Sequence, residues 1–421
     1  VKPAKLEILR ALQTTGLLIL FVGLYFLGGK LGLKLAFLQS SATAVWPPAG
    51  LALAALLIFG YRLWPGVFIG AFLVNITTAG NVLTSLFFAT GNTLEAVVGA
   101  YLINRFANGI GAFEKPSTFL RFVFLGPFVS AAISATIGVT TLTVAGLSAP
   151  QQYGVVWLTW WLGDAVSLLV LTPFLALWFL TPPPSWQWKK VLEFIAVLAV
   201  AFGISIIIFG GFLPMRLIHH PFSFALLPVM LWVAFRFSAR ETATVTLLIC
   251  GVALWGTLKG FGPFALPLPN ESLVVLQGFI GIAATTAYLT SSTVGESHRA
   301  INALTELETH HRALFDVSPE AILISRRNTV SFANAACVKL FGASSSNQLV
   351  GKLTLDLFHP SSQDAIRTDL ERLAKRGGRS EPRMVEVLRL RGHSISAEMT
   401  ATGFVEHDSP SVHILLRRFK V

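Results

Sequence analysis

Ten apolar segments follow one another through the first 295 residues, at 12–28, 47–60, 63–76, 82–104, 118–145, 153–180, 190–213, 221–236, 241–257 and 272–294. A helix rises about 1.5 Å per residue and the hydrocarbon core of a bilayer is about 30 Å thick, so about 20 apolar residues cross it. The runs are continuous rather than alternating. That excludes a β-barrel and leaves helices, the other fold that satisfies its own backbone in lipid. Composition agrees: 53% of the 421 residues are hydrophobic and 13% are charged, against about 25% charged in a soluble protein. Loops such as "NITTAGN" (Asn75–Asn81), "TPPPSWQWKK" (Thr181–Lys190) and "KGFGPFALPLPNES" (Lys259–Ser272) separate the runs. Segments 47–60 and 63–76 fall short of the roughly 17 residues a span needs. They predict a re-entrant or broken hairpin held by its neighbours. The expected fold begins as a polytopic α-helical membrane bundle of 8–10 transmembrane segments.

Charge sets the expected orientation. With the N-terminus inside, the inner loops carry Lys2, Lys5, Arg10, Arg62, Arg105, Lys115, Arg121, Lys189, Lys190, Arg236 and Arg240, whereas the outer loops carry Lys30, Lys34, Arg216 and Lys259. Cytoplasmic loops are the basic ones, so both termini are expected in the cytoplasm, with eight spans or with ten. The formal net charge of +11 does not imply nucleic acid. Residues 1–296 hold 15 of the 32 Lys and Arg and 8 of the 21 Asp and Glu, so most of the excess belongs to membrane loops, and no basic stripe with interleaved aromatics occurs. The first apolar run lacks a small-residue cleavage site, and no cleaved signal peptide is expected. Cys250 and Cys337 lie in different parts of the chain and imply neither a disulfide framework nor a metal cluster.

After Val294 the texture changes. "GESHRAINALTELETHHRALFD" (Gly295–Asp316) is polar, with apolar residues at Ile301, Leu304, Leu307 and Leu314. That pattern suits a helix continuing out of the last span and pairing with its own copy at a narrow seam. From Pro319 onward short β-rich runs alternate with turns, and "SSQDAIRTDLERLAKR" (Ser361–Arg376) reads as a helix between them. The region suffices for one small α+β domain.

Two parts of the chain resemble known families. "SPEAILI" (Ser318–Ile324), "VSFANAACVKLFG" (Val330–Gly342), "LVGKLTLDLFHP" (Leu349–Pro360) and the closing "HILLRR" are similar to a PAS domain, with Asn334 at the Asn of its V-N-x-A consensus. The Asp-x-Thr triplet that often couples a PAS domain to the next domain is replaced by "LLRRFKV". The runs "WPPAGLALAALLIFGYRLWPGVFIGAFLVN" (Trp46–Asn75), "GNTLEAVVGAYLINR" (Gly91–Arg105) and "WWLGDAVSLLVLTP" (Trp160–Pro173) resemble the type one membrane-associated sensor (MASE) domain of bacterial receptors. The resemblance implies a cytoplasmic N-terminus at 1–11, a membrane sensory domain at 12–295, a signalling linker at 296–317 and a PAS domain at 318–421. In such receptors a histidine kinase or a cyclic-di-GMP cyclase or phosphodiesterase follows. This chain carries no Gly-Gly-Asp-Glu-Phe or Glu-Ala-Leu signature and no kinase glycine box, and Val1 in place of an initiator Met hints at a longer protein.

Asp164 and Glu95 are carboxylates inside apolar segments, with Asn92 one turn before Glu95. A charge at the bilayer centre costs about 2.5–3.5 kcal/mol on insertion scales, so these residues should face the bundle interior. They form either a polar site that senses a ligand or a proton, or a helix-packing network. Arg62 and Arg105 are possible partners at the interface. Trp46, Trp64, Trp157, Trp160, Trp161 and Trp178 read as an aromatic belt at the membrane interfaces. Pro47 and Pro48 open a helix, Gly163 beside Asp164 permits close helix approach, and Pro173 marks a kink inside its span. Asn334 is expected to hold a strand-to-helix turn through backbone bonds. Neither haem nor flavin is expected in the PAS region. His359 precedes Pro360 at a turn, and Cys337 is not in the Asn-Cys-Arg-Phe run of flavin photosensors. His310 and His311 read as a solvated helix face.

The expectation is a multi-pass sensor of the bacterial inner membrane. It would meet membrane lipid and no nucleic acid, pair as a homodimer through the linker helix and PAS domain, and answer a small-molecule or membrane-protein signal. The alternative is a secondary transporter with a regulatory PAS domain.

Overall fold

A computed structural model describes residues 3–34, 36–39, 42–43, 45–180, 187–212, 222–390, 392–406 and 409–418; the side chains of 3–13 and of a few further residues lie outside the description. Lys2, Arg216 and the whole "TPPPSW" stretch (181–186) fall outside the described residues, as do the side chains of Lys5, Arg10 and His311. The chain forms two units, Val1–Arg299 and Ala300–Val421.

The first unit is helical. Its helices are α1 (Pro3–Lys34), α2 (Pro47–Phe59), α3 (Trp64–Ala79), α4 (Val82–Phe106), α5 (Pro116–Val123), α6 (Ala131–Val144), α7 (Tyr153–Leu180), α8 (Trp188–Phe209), α9 (Leu226–Arg236), α10 (Ala239–Leu258) and the first part of α11 (Pro269–Val317), whose residues from Ala300 onward belong to the second unit. Between α1 and α2 two short strands, β1 (Ala36–Gln39) and β2 (Ala42–Thr43), pair antiparallel. Each of the ten apolar segments falls on a helix. Among the described residues seven helices are long and apolar enough to cross a membrane, and α2, α3 and α9 are short, with 13, 16 and 11 residues.

Local chemistry explains the breaks. Pro127 has no N–H and cannot continue an α-helical ladder, and α5 passes into α6 through a π-helical stretch at Phe124–Ser130 that contains it. Helix α7 continues through Pro173. Helix α2 begins with Pro47 and Pro48, which have no N–H to orphan. The next two donors are satisfied: Ala49 N–H by the Trp46 carbonyl at 3.0 Å and Gly50 N–H by Ser167 Oγ of α7 at 3.1 Å. Thr172 Oγ1 donates to the Gly50 carbonyl at 3.1 Å, so the short helix α2 is fastened to a full span. A Cβ on Gly50 would lie 2.9 Å from Leu171 Cβ and still closer to the Ser167 backbone. The bare backbone is what lets α2 reach α7. At the start of α10, Ser238 and Glu241 form a capping box.

In the second unit an antiparallel sheet runs in the order β4 (Thr329–Ala333), β3 (Ala321–Arg326), β8 (Ser409–Arg418), β7 (Ser394–Glu406), β5 (Gly378–Arg379), and β6 (Arg383–Leu388) also pairs with β7. Helices α12 (Ala335–Phe341) and α13 (Pro360–Arg376) complete it. Strand β3 alternates buried and part-buried residues, and Leu323, Phe341, Phe358, Ile366 and Ile414 are among the core.

Candidate functional site

Asn92 and Glu95 stand three residues apart on α4, and Trp160 and Asp164 stand four apart on α7, so each pair shares a helix face. Helix α6 packs against both α4 and α7 and contributes Ser134. Small residues allow this approach. A Cβ on Gly91 would lie 3.2 Å from Ile137, and one on Gly138 would lie 2.7 Å from the Trp160 ring.

The cluster is buried: Asn92, Glu95, Ser134 and Asp164 are each at most 5% exposed, and Tyr25 is fully covered. Asn92 Oδ1 accepts from the Tyr25 hydroxyl at 3.3 Å and from the Trp46 indole at 3.1 Å. Its Nδ2 donates to the Phe88 carbonyl one turn back, at 2.8 Å. The Trp160 indole donates to Ser134 Oγ at 3.3 Å, and the Trp46 N–H to the Gly163 carbonyl at 3.2 Å. Glu95 and Asp164 are electrostatic neighbours flanked by Ser134 and Trp160. All four of their carboxylate oxygens are buried, and none is held by a well-formed hydrogen bond among the described residues, although Ser134 and Trp160 stand close enough to interact with them. Buried carboxylates left without donors are unfavourable. The arrangement suits uptake of a proton or a cationic group.

Arg62 is exposed, and Arg105 holds its guanidinium over the Phe106 ring at 5.4 Å rather than at the acids. The interface-belt reading is corrected for two tryptophans: the indoles of Trp46 and Trp160 are half-buried and donate into the cluster. A buried indole N–H needs an acceptor, and the polar interior supplies it. Trp161 stacks on Trp157 with ring centroids 5.7 Å apart and donates to the Phe128 carbonyl at 3.1 Å. Trp64 is exposed. Tyr25 and Ser134 were missed in the sequence. The signal available for Tyr25 was a phenol in mid-span, which requires a polar partner.

In the second unit Asn334 caps α12 and binds four backbone groups. Its Oδ1 accepts from Cys337 N at 2.9 Å and Ile322 N at 3.0 Å, and its Nδ2 donates to the Phe315 and Glu320 carbonyls, each at 2.9 Å. One side chain thus ties the last turns of α11 to β3 and α12. Cys337 is buried, and desolvation pushes its thiol up to about 12, far from a reactive thiolate. His359 caps α13, with Nδ1 2.9 Å from Ser361 Oγ and 3.5 Å from the Glu386 carboxylate.

A family model for MASE1 matches residues 17–298, and one for the PAS fold matches 309–417. The chain belongs to the MASE1 family. It is a multi-pass membrane protein, and its MASE1 and PAS domains make it a membrane sensor signalling module. No curated protein matches it. Similar solved structures include the PAS domain of a protein from Colwellia psychrerythraea, 17% identical over 27% of this chain and 97% of that one, with a TM-score of 0.24. Another is the PAS domain of an HTR-like protein from Haloarcula marismortui, 17% identical over 29% of this chain and 99% of that one, with a TM-score of 0.26.

Proposed function

We propose that this MASE1 protein is a bacterial inner-membrane receptor that senses through the Asn92–Glu95–Asp164 cluster and relays the state along α11 to its PAS domain. An output partner, a histidine kinase or a cyclic-di-GMP cyclase or phosphodiesterase, would read the PAS domain. The observation that carries this reading is the pair of buried, neighbouring carboxylates whose oxygens no well-formed hydrogen bond holds, set in a network that already satisfies Asn92. Acids buried inside a membrane bundle commonly mark ion or proton pathways. A stimulus can shift such a receptor only by interacting differently with its two states, and loading or unloading the carboxylates is such a difference. The test is Asp164→Asn in the receptor fused to a reporter output. Asn keeps the shape but not the charge. Normal membrane yield with an output locked in one state is expected; normal yield with a normal response would reduce Asp164 to a packing residue.

The basic loops support a cytoplasmic location for both termini. Alkaline phosphatase should be active when inserted within Lys259–Ser272 and inactive when fused after Arg418; the reverse pattern would invert the orientation. The receptor acts as a homodimer. Ile301, Leu304, Leu307 and Leu314 are all more than half exposed on α11, spaced by three, three and seven residues, the stripe a second copy would cover.

A further inference from the structure

The membrane unit holds a cavity lined by residues other than those of the carboxylate cluster. This cavity of about 1000 Å³ is lined by residues from the starts of α8 and α10, the end of α9 and the Ser291–Arg299 stretch of α11. Small-molecule sites run to about 300–1,000 Å³, so this one has room for a large polar ligand. Four cations line it: Lys190, Arg236, Arg240 and Arg299. Two are already engaged. Arg236 grips Glu193 through Nε at 2.6 Å and Nη2 at 3.0 Å, and Arg299 donates to the Glu114 carbonyl.

Arg240 differs. Its guanidinium lies over the Trp178 ring, 3.7 Å from the centroid, and its Nε and Nη1 are buried with no hydrogen-bond acceptor. An indole face attracts a cation but offers no lone pair to an N–H. Glu114 and Glu241 are the acids of the wall. Glu241 is taken by the cap, accepting from the Ser238 N–H at 2.9 Å and from the Ser238 hydroxyl. Buried guanidinium donors without an acceptor are unfavourable, so Arg240 is set for acceptors from outside the chain. Its Nε–H and Nη1 hydrogens diverge and would take separate acceptor atoms, while a lysine adds a point charge.

We propose that this cavity binds a phosphate-bearing anion, with Arg240 as its main donor and Lys190 as a second cation. Ser291 and His298 of α11 line the same cavity, so occupancy would bear directly on the last helix of the membrane unit. The ligand is either the headgroup of an anionic phospholipid or a soluble phosphate ester.

The experiment uses the full chain in nanodiscs of phosphatidylcholine, at constant ionic strength set with chloride. One arm titrates pyrophosphate; the other replaces part of the lipid with phosphatidylglycerol. The readout is the thermal midpoint of the protein as a function of added anion. Stabilisation in the pyrophosphate arm identifies a soluble ester, and stabilisation in the phosphatidylglycerol arm a lipid headgroup. In the responsive arm Arg240→Gln should weaken the apparent affinity about tenfold or more, as loss of charge-assisted bonds does. Lys190→Gln, at an exposed position, should weaken it severalfold, measured against that variant's own anion-free midpoint, which keeps the test open if Arg240→Gln misfolds. No stabilisation in either arm, or the wild-type response in both variants, would overturn the proposal.

Discussion

Replacing Asn334 with Ala should destabilise the second unit by about 2 kcal/mol or more, because it removes the partners of four backbone groups, one buried and three part-buried, and a buried group costs about 1–3 kcal/mol when unpaired. The side chain is fully buried and carries four bonds to the backbone of four separate residues, Phe315, Glu320, Ile322 and Cys337. Ala removes both acceptor contacts and both donors at once. Asn334→Asp should recover part of the loss, since it can still accept from Ile322 and Cys337 but can no longer donate to Phe315 and Glu320. Limited proteolysis of the full chain in membranes checks this: cleavage within 309–417 should accelerate most for Ala and less for Asp. Equal protection of the wild type and the Ala variant would show that the four bonds contribute little.

The second large effect is expected at Gly50. A methyl group there would press on the backbone of Ser167 and on Leu171 of α7, and backbone cannot rotate away as a flexible side-chain end would. Overpacking a tight contact costs about 1–3 kcal/mol, and Gly50→Ala would also strain the two hydrogen bonds that fasten α2 to α7. Gly60 provides the control, because a Cβ there meets nothing within 4 Å; its positive φ of 84° still adds backbone strain. Gly50→Ala should therefore lower the folded fraction after detergent extraction well below that of Gly60→Ala, judged by fluorescence-detected gel filtration. A monodisperse Gly50→Ala protein at wild-type yield would contradict the close contact.

Much of the fold was legible because an apolar run long enough to span a bilayer needs no partner to declare itself. The ten segments fall on helices for that reason, and the prolines at 47, 48 and 65 sit at helix starts. The long helix α11 was legible too: no proline interrupts it between Asn270 and Val317. The acids were legible as inward-facing residues by their cost in lipid. Their surroundings were not. Tyr25, Asn92, Ser134 and Asp164 come from four helices, and no spacing in the sequence ties such distant positions together. The tryptophans misled for a related reason. Hydropathy places an indole near the membrane surface, but the acceptor of its N–H decides whether it faces lipid, and for Trp46 and Trp160 that acceptor lies on another helix inside the bundle. Asn334 was legible as a local cap. Its bond to Phe315, 19 residues upstream, needed the tertiary structure.

The central claim is that the carboxylate pair in the membrane sets the state of the linker, and it can be tested before any stimulus or output is known. Cysteine is placed at Leu304 in the full chain with Cys250 and Cys337 replaced by Ser, and disulfide cross-linking between copies is timed in native membranes. The same rate is then measured with Asp164→Asn, and with Glu95→Gln. The expected result is cross-linking at Leu304 whose rate changes at least severalfold in both carboxylate variants, at unchanged membrane yield. Rates that match the unsubstituted membrane domain in both variants would contradict the claim, leaving Glu95 and Asp164 as packing residues with no hold on the helix that follows.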